Sequence, residues 1–387
     1  MNRYRMGLFL LAAIAMAGFA GNCEAQYATD VRIVNKAKLP PDRLADALAA
    51  KALLTNFDPK LLRSAAELAP RDARYWYFLA ITQDIFHEKN PGVYRLRLER
   101  ALAADPSYIP ALYAYVLSKP NHDQRMQGLK RLAALDADNA KPYYLMALES
   151  YQETTRDRSI VNRDLGAYPI SRAEWQAVIG FIREGNQRSA FHADEVRLPF
   201  TADLRVRLSG KVLPQADLDT GILVEVDALR SGGQLADAPL SFSAAARFRQ
   251  LARQAHWEAG QAYRQGRSAE GLDMLEVVKT FGAKYAASEP HSLLHMSVGC
   301  AIRFIADDEQ AAILKATGNE SAARALQAES LADKSLMNQA AKSLLAISAQ
   351  PTKGLADLSA ARRAEDALVS RTLARLGFEQ PQPKSAK

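Results

Sequence analysis

Six histidines, two cysteines and a scatter of carboxylates are the residues in this chain that could do chemistry. The histidines are His87, His122, His192, His256, His291 and His295, and only the last two, in the run HSLLH, have a spacing that suits a metal ion. Residues four apart on a helix lie about 40° apart around its axis, so both rings could meet one ion. A third ligand is missing nearby. Cys300 falls five residues past His295, well round the helix, and no glutamate separates the two histidines to act as a base. Ser288 and Pro290 read as the start of a helix, which makes His291 a first-turn residue. No metal and no cofactor is expected. Leu208–Lys211 reads LSGK, like the end of a phosphate-binding loop, but the earlier glycine such a loop needs is absent. There is no Gly-x-Ser-x-Gly turn and no cysteine–histidine pair in a supporting pattern, so no catalytic residue is assigned.

A glutamate followed by serine occurs at Glu149–Ser150 and at Glu329–Ser330. Lytic transglycosylase domains, which some exported helical superhelices carry, have a catalytic glutamate before a serine. That family then needs a glycine-rich turn and a Gly-Leu-Met-Gln segment. The nearest match, Ser335–Gln339 (SLMNQ), comes too soon and lacks the glycine. An acid that keeps its proton at neutral pH must also be desolvated in a cleft, and neither glutamate lies in a recognisable cleft motif. Both read as solvated helical residues. A cell-wall or glycan hydrolase, or an accessory carbohydrate-binding helical protein, stands as the second reading of function.

The chain has 387 residues, 48% hydrophobic and 24% charged, enough apolar material for a core. Residues 1–25 have Arg3 and Arg5, an uncharged run from Met6 to Asn22, and Cys23-Glu24-Ala25 as a small-x-small site before Gln26. That is the pattern of a cleaved signal peptide, so the mature chain is expected to be periplasmic or extracellular, without a transmembrane segment. Cys23 fits a lipid-attachment site poorly, because Asn22 is large and polar and the usual leucine is absent. With Cys23 removed, Cys300 is alone and reads as a buried, inert thiol. The net charge of +7 is mild for this length and its lysines and arginines are scattered. The densest basic stretch, Tyr94–Ala101 (YRLRLERA), reads as a solvated helix face, and no nucleic-acid partner is expected.

A polar entry at 26–41 precedes helical patterning over 42–186, with breaks at Asp58-Pro59, Ala69-Pro70, Asn90-Pro91-Gly92 and Lys119-Pro120-Asn121. Over 187–240 the helical period fades. Leu204, Val206 and Leu208 alternate with Arg205 and Arg207, and Ile222, Val224 and Val226 alternate less cleanly, so a small β-hairpin or irregular insert is expected there. Helical pattern resumes over 241–376, and 377–387 reads as a disordered tail.

Within the helical stretches a theme recurs. A small-apolar run, a polar break and a new aromatic-bearing pattern appear at Ala65–Ala80, Ala101–Leu117 and Leu132–Leu148. Pro70 and Pro106 are 36 positions apart, and Asp105 and Asp136 are 31 apart. These values scatter around the period of about 34 residues of a tetratricopeptide repeat. The segments resemble that family. Trp76, Leu79 and Ala80 match its opening pattern, and Ala101 with Asp105-Pro106 matches its close. Tyr143, Met146 and Ala147 fill the opening places again. Leu112 is in place in the unit between, although Tyr115-Val116 stands where a small pair is usual. His256–Val278 carries Gly260, Tyr263 and a turn at Gly266, and Ala311–Glu329 repeats the theme with Gly318-Asn319 at its turn.

The resemblance implies a mainly α fold of antiparallel helix pairs stacked into an α-solenoid, since one pair cannot bury its own apolar face. It implies small residues at Ala80, Ala147 and Gly260 where helices approach, with Trp76 and Tyr143 filling the space beside them. It further implies that the fifth position of each first helix faces a concave groove. That position is Tyr77, Tyr113, Tyr144 and Trp257, with Arg74, Lys141 and Arg264 as basic neighbours. Such a ladder suits a peptide with acidic character. The same rings would be core if neighbouring helices cover them. The first reading of function is an exported, non-enzymatic scaffold that binds a protein or peptide in the cell envelope.

Overall fold

The computed structural model describes residues 31–33, 41–54, 59–86, 91–118, 121–192, 222–224, 229–288, 293–348, 364 and 367–378. The signal-like segment and the alternating Leu204–Leu208 run lie outside them. The fold is mainly α. Among the described residues twelve helices run as α1 (Pro41–Leu54), α2 (Pro59–Leu68), α3 (Ala73–Phe86), α4 (Pro91–Ala104), α5 (Ile109–Leu117), α6 (His122–Leu135), α7 (Lys141–Thr155), α8 (Arg172–Asn186), α9 (Leu229–Arg264), α10 (Ser268–Ala286), α11 (Leu293–Ala316) and α12 (Glu320–Ser348).

Two of the prolines read as breaks, Pro59 and Pro91, turn out to be helix starts. Pro41, Pro59 and Pro91 are the first residues of α1, α2 and α4, where the missing N–H costs nothing. Ser171 and Glu174 form a reciprocal capping box at α8, and the Asn121 side chain accepts from the Asp123 N–H at the start of α6. The turns at Gly266 and Gly318 adopt φ of 77° and 84°, a left-handed conformation that glycine enters without strain.

The middle differs from the expectation. No hairpin is seen within 187–240 among the described residues. The backbone of Ile222–Val224 (β2) pairs antiparallel with Val31–Ile33 (β1), in the polar entry segment. Helix α9 begins at Leu229, well before the expected helical restart at 241. The tail also departs from expectation at its first residues. Phe378 is buried under the Arg303 guanidinium, 5.5 Å from the ring centre, and Arg303 donates to the Leu376 carbonyl at 3.0 Å.

The chain forms two compact units, 1–111 with 197–239 and 339–368, and 112–196 with 240–338 and 369–387. In the first unit α1, α2, α3 and α4 pack successively. In the second, α8 packs against both α7 and α10, and α10 packs along α11. Helices α10 and α11 approach closely at Gly282 and Gly299. A Cβ added to Gly282 would sit 2.7 Å from the Gly299 carbonyl oxygen, so only a hydrogen fits between these backbones.

The 156–171 connection in the second unit is held by side chains from α9. Gln254, fully buried, exchanges two hydrogen bonds with the Tyr168 backbone, both at 2.9 Å. Gln250 donates to the Gly166 carbonyl at 2.5 Å. These bonds satisfy backbone groups that the irregular path would otherwise leave buried without partners.

Candidate functional site

The residues expected to line a groove separate into two sets. Tyr77, Tyr113 and Tyr144 are 1%, 2% and 1% exposed, so they are core rather than groove. Tyr77 meets Tyr108 edge to face at 5.7 Å. The Tyr113 hydroxyl lies 3.3 Å from Asp136 Oδ2, and Lys141 Nζ stands 4.4 Å from the centre of the Tyr113 ring. Lys141 is itself buried, at 3% exposure. Burial pushes the phenols of Tyr113 and Tyr144 well above their ordinary value, and the Asp136 charge adds to the shift at Tyr113.

Tyr144 belongs to an aromatic cluster in the second unit. Its ring lies 4.5 Å from Phe281 and 5.7 Å from Phe191, and Phe281, Phe248 and Tyr285 continue the contact. Its hydroxyl donates to Asn186 Oδ1 at 2.8 Å, and Asn186 in turn donates to the Val277 carbonyl at 2.9 Å. The physical reason for the correction is coverage: α10 supplies Phe281 over the very face that the repeat resemblance leaves open.

Trp257 and Arg264 do lie at the surface. Arg264 is exposed and its guanidinium stands 5.4 Å from the centre of the partly exposed Trp257 ring. Between them, Gly260 makes room for a carboxylate instead of a helix backbone. A Cβ there would lie 2.6 Å from Glu309 Oε1. Glu309 Oε2 is 3.0 Å from His256 Nε2, and His256 Nδ1 is 3.2 Å from the Ile305 carbonyl oxygen. His256, Gly260 and Arg264 follow one another at four-residue steps, so one stripe of α9 receives the side chain. Burial raises the Glu309 carboxyl above its ordinary value, against the pull of His256 and Arg264.

The candidate acids and His295 have structural partners. Glu149 accepts from Arg125 Nε at 2.7 Å, and Glu329 is 2.6 Å from Arg303 Nη2. His295 sets its ring on Tyr285 at 5.1 Å, while His291 lies outside the described residues. Cys300 is buried, and burial pushes its thiol up to about 12.

Two open clefts lie in the first unit, on either side of the turn at Pro70-Arg71 between α2 and α3. The larger cleft, about 690 Å³, is bounded by Asp42, Arg71, Asp72, Arg74, Asp105 and Tyr108 among others. Asp72 caps α3 by accepting the Arg74 N–H at 3.0 Å, and Arg74 closes a fork onto the same carboxylate at 2.9 and 2.5 Å. Asp105 accepts from the Ser107 N–H and hydroxyl at 2.9 and 2.7 Å. Burial raises the Tyr108 phenol, with Asp72 and Asp105 pushing the same way and Arg74 opposing. The smaller cleft, about 480 Å³, is lined by Pro70, Arg71, Trp76, Arg100, Ala103 and Ala104. Trp76 Nε1 donates to the Pro70 carbonyl at 3.1 Å, which fixes the indole against the turn. Arg100 lies over the indole, 4.8 Å from the ring centre.

Of the residues singled out from the sequence, this region contains Arg74 and Trp76. It adds Arg71, Asp42, Asp72 and Tyr108, which the sequence reading did not select, and Asp105 and Arg100, which that reading places only in a repeat close and a solvated helix face. The one local signal was the break at Ala69-Pro70, immediately before Arg71. The chain matches no protein-family model and no curated protein sequence.

Proposed function

We propose that this chain is an exported, non-enzymatic helical scaffold, built from tetratricopeptide-like helix pairs, that binds a protein or peptide in the cell envelope. Helix pairs joined by short turns at 265–267 and 317–319 support the repeat reading. The charged-then-apolar pattern of residues 1–25 supports export. No helix among the described residues is long and apolar enough to cross a membrane.

The observation that carries the binding reading is the pair of clefts flanking Pro70-Arg71. Their charged groups are held in advance, Arg74 by Asp72 and Arg100 by Trp76. Side chains already fixed lose less conformational freedom when a partner arrives. On this reading the partner binds at this turn, and not along the aromatic ladder.

The test is affinity capture from envelope extract with the full chain, followed by direct binding of the recovered partner to purified protein. A partner bound directly supports the scaffold. Cleavage of peptidoglycan or a soluble glycan by the purified chain overturns it in favour of the hydrolase reading.

A further inference from the structure

The two clefts share Pro70 and Arg71 but differ in charge. Three aspartates, Asp42, Asp72 and Asp105, line the larger one beside Arg71 and Arg74. The smaller one has no acidic lining residue; its charged groups are Arg71 and Arg100, and the rest of its wall is Trp76, Pro70, Ala103 and Ala104. Arg71 and Arg100 are both exposed, and Arg71 makes no hydrogen bond or ion pair among the described residues. Arg100 lies over the indole, 4.8 Å from the ring centre, and like Arg71 makes no hydrogen bond or ion pair among the described residues, so its N–H groups are open to an acceptor.

We propose that the cleft between Arg71, Trp76 and Arg100 is an anion-recognition subsite that takes side-chain carboxylates from an acidic segment of the partner. This rests on the scaffold reading above and gives it a ligand chemistry. A carboxylate between the two guanidinium groups accepts charge-assisted hydrogen bonds from both. The apolar wall of Trp76, Pro70 and the two alanines receives the methylene stem of a glutamate. The aspartates of the neighbouring cleft repel a second acidic group, so they restrict where such a segment can lie. A basic segment meets two uncompensated arginines in the smaller cleft and is excluded from it.

The probe is a capped oligoglutamate peptide, with capped oligoglutamine as reference, titrated into the full chain by calorimetry. The Trp76 indole N–H is followed by NMR. Oligoglutamate is expected to bind, weaken with added salt and move the Trp76 resonance, while oligoglutamine does neither. Arg71→Glu and Arg100→Glu should each weaken binding by about tenfold or more. Arg324→Glu, at an exposed arginine of the other unit, should not. Thermal melts check that each variant is folded, and Arg71→Glu, which removes no described bond, keeps the test intact if Arg100→Glu unfolds. Absence of oligoglutamate binding overturns the proposal, as does equal binding by both cleft variants or an equal loss in Arg324→Glu. Inorganic phosphate that binds with the same losses and displaces the peptide also overturns it, in favour of a phosphate site. A partner captured equally well by wild type and both cleft variants sinks the subsite and leaves the scaffold standing. Failure to recover any partner with wild type sinks the scaffold reading, while the oligoglutamate titration still decides the subsite.

Discussion

Replacing Tyr144 by alanine removes a ring that touches Phe191 and Phe281 and a hydroxyl that is bonded to Asn186. Truncating a buried aromatic costs about 3–5 kcal/mol, because the surrounding side chains only partly collapse into the cavity. Collapse is restricted here: Gly185 already brings the α8 backbone against the ring, where an added Cβ would meet Tyr144 Cε1 at 2.5 Å. Losing the hydroxyl also strips the donor from Asn186 Oδ1, worth about 1 kcal/mol more. The sum is about 4–6 kcal/mol. Tyr144→Phe keeps the ring and loses only the hydrogen bond, so it should cost about 1 kcal/mol. Urea unfolding followed by near-ultraviolet circular dichroism and tryptophan fluorescence reads this directly. Trp175 is 2% exposed in the same unit, with its indole N–H 3.1 Å from Met274 Sδ, and reports on that core. If Tyr144→Ala unfolds within about 1 kcal/mol of wild type, the ring is not core. A groove-facing tyrosine, as the repeat resemblance implies, would then be the better account.

Three further outcomes are expected. Gly299→Leu should prevent stable packing of α10 on α11, because Gly282 and Gly299 leave no room for a side chain; a melt like that of wild type would refute the close crossing. Ser171 and the Arg158 guanidinium hold Glu174 well below the usual carboxylate range, at about 2. Its folded value lies below its unfolded one, so its stabilisation is complete above the ordinary value of 4.5 and is lost as pH falls from there to about 2. Glu174→Gln should therefore lose that part of the acid dependence of the urea midpoint, and an unchanged difference from wild type between pH 5 and about 2 would refute it. Export predicts a mature N-terminus at Gln26; sequencing that finds Met1 intact in the envelope fraction refutes cleavage at that site.

The local features of this fold were legible because they depend on neighbouring residues alone. Gly266 and Gly318 announce helix–helix turns, since a left-handed residue after a helix is written in one position. Prolines 59 and 91 mark boundaries for the same reason. What was not legible depends on distant residues. A repeat register says which way Tyr144 leaves its helix, but only Phe281, from α10, decides whether that side is covered. Gly282 and Gly299 each look like weak helix residues, and their value appears only when α10 and α11 are laid together. Gly260 shows the intermediate case. Its smallness was read as room for a helix, and the room is taken by the Glu309 carboxylate. The Arg71 cleft fails to show in the sequence for a related reason. Pro70, Trp76 and Arg100 come from a turn and two helices, and no spacing rule joins them. What marks Arg71 is physical and visible only in the fold: it is a cation at a proline turn, bordering one cleft that carries aspartates and one that does not. That asymmetry, more than the repeat pattern, is the ground for the proposed carboxylate subsite.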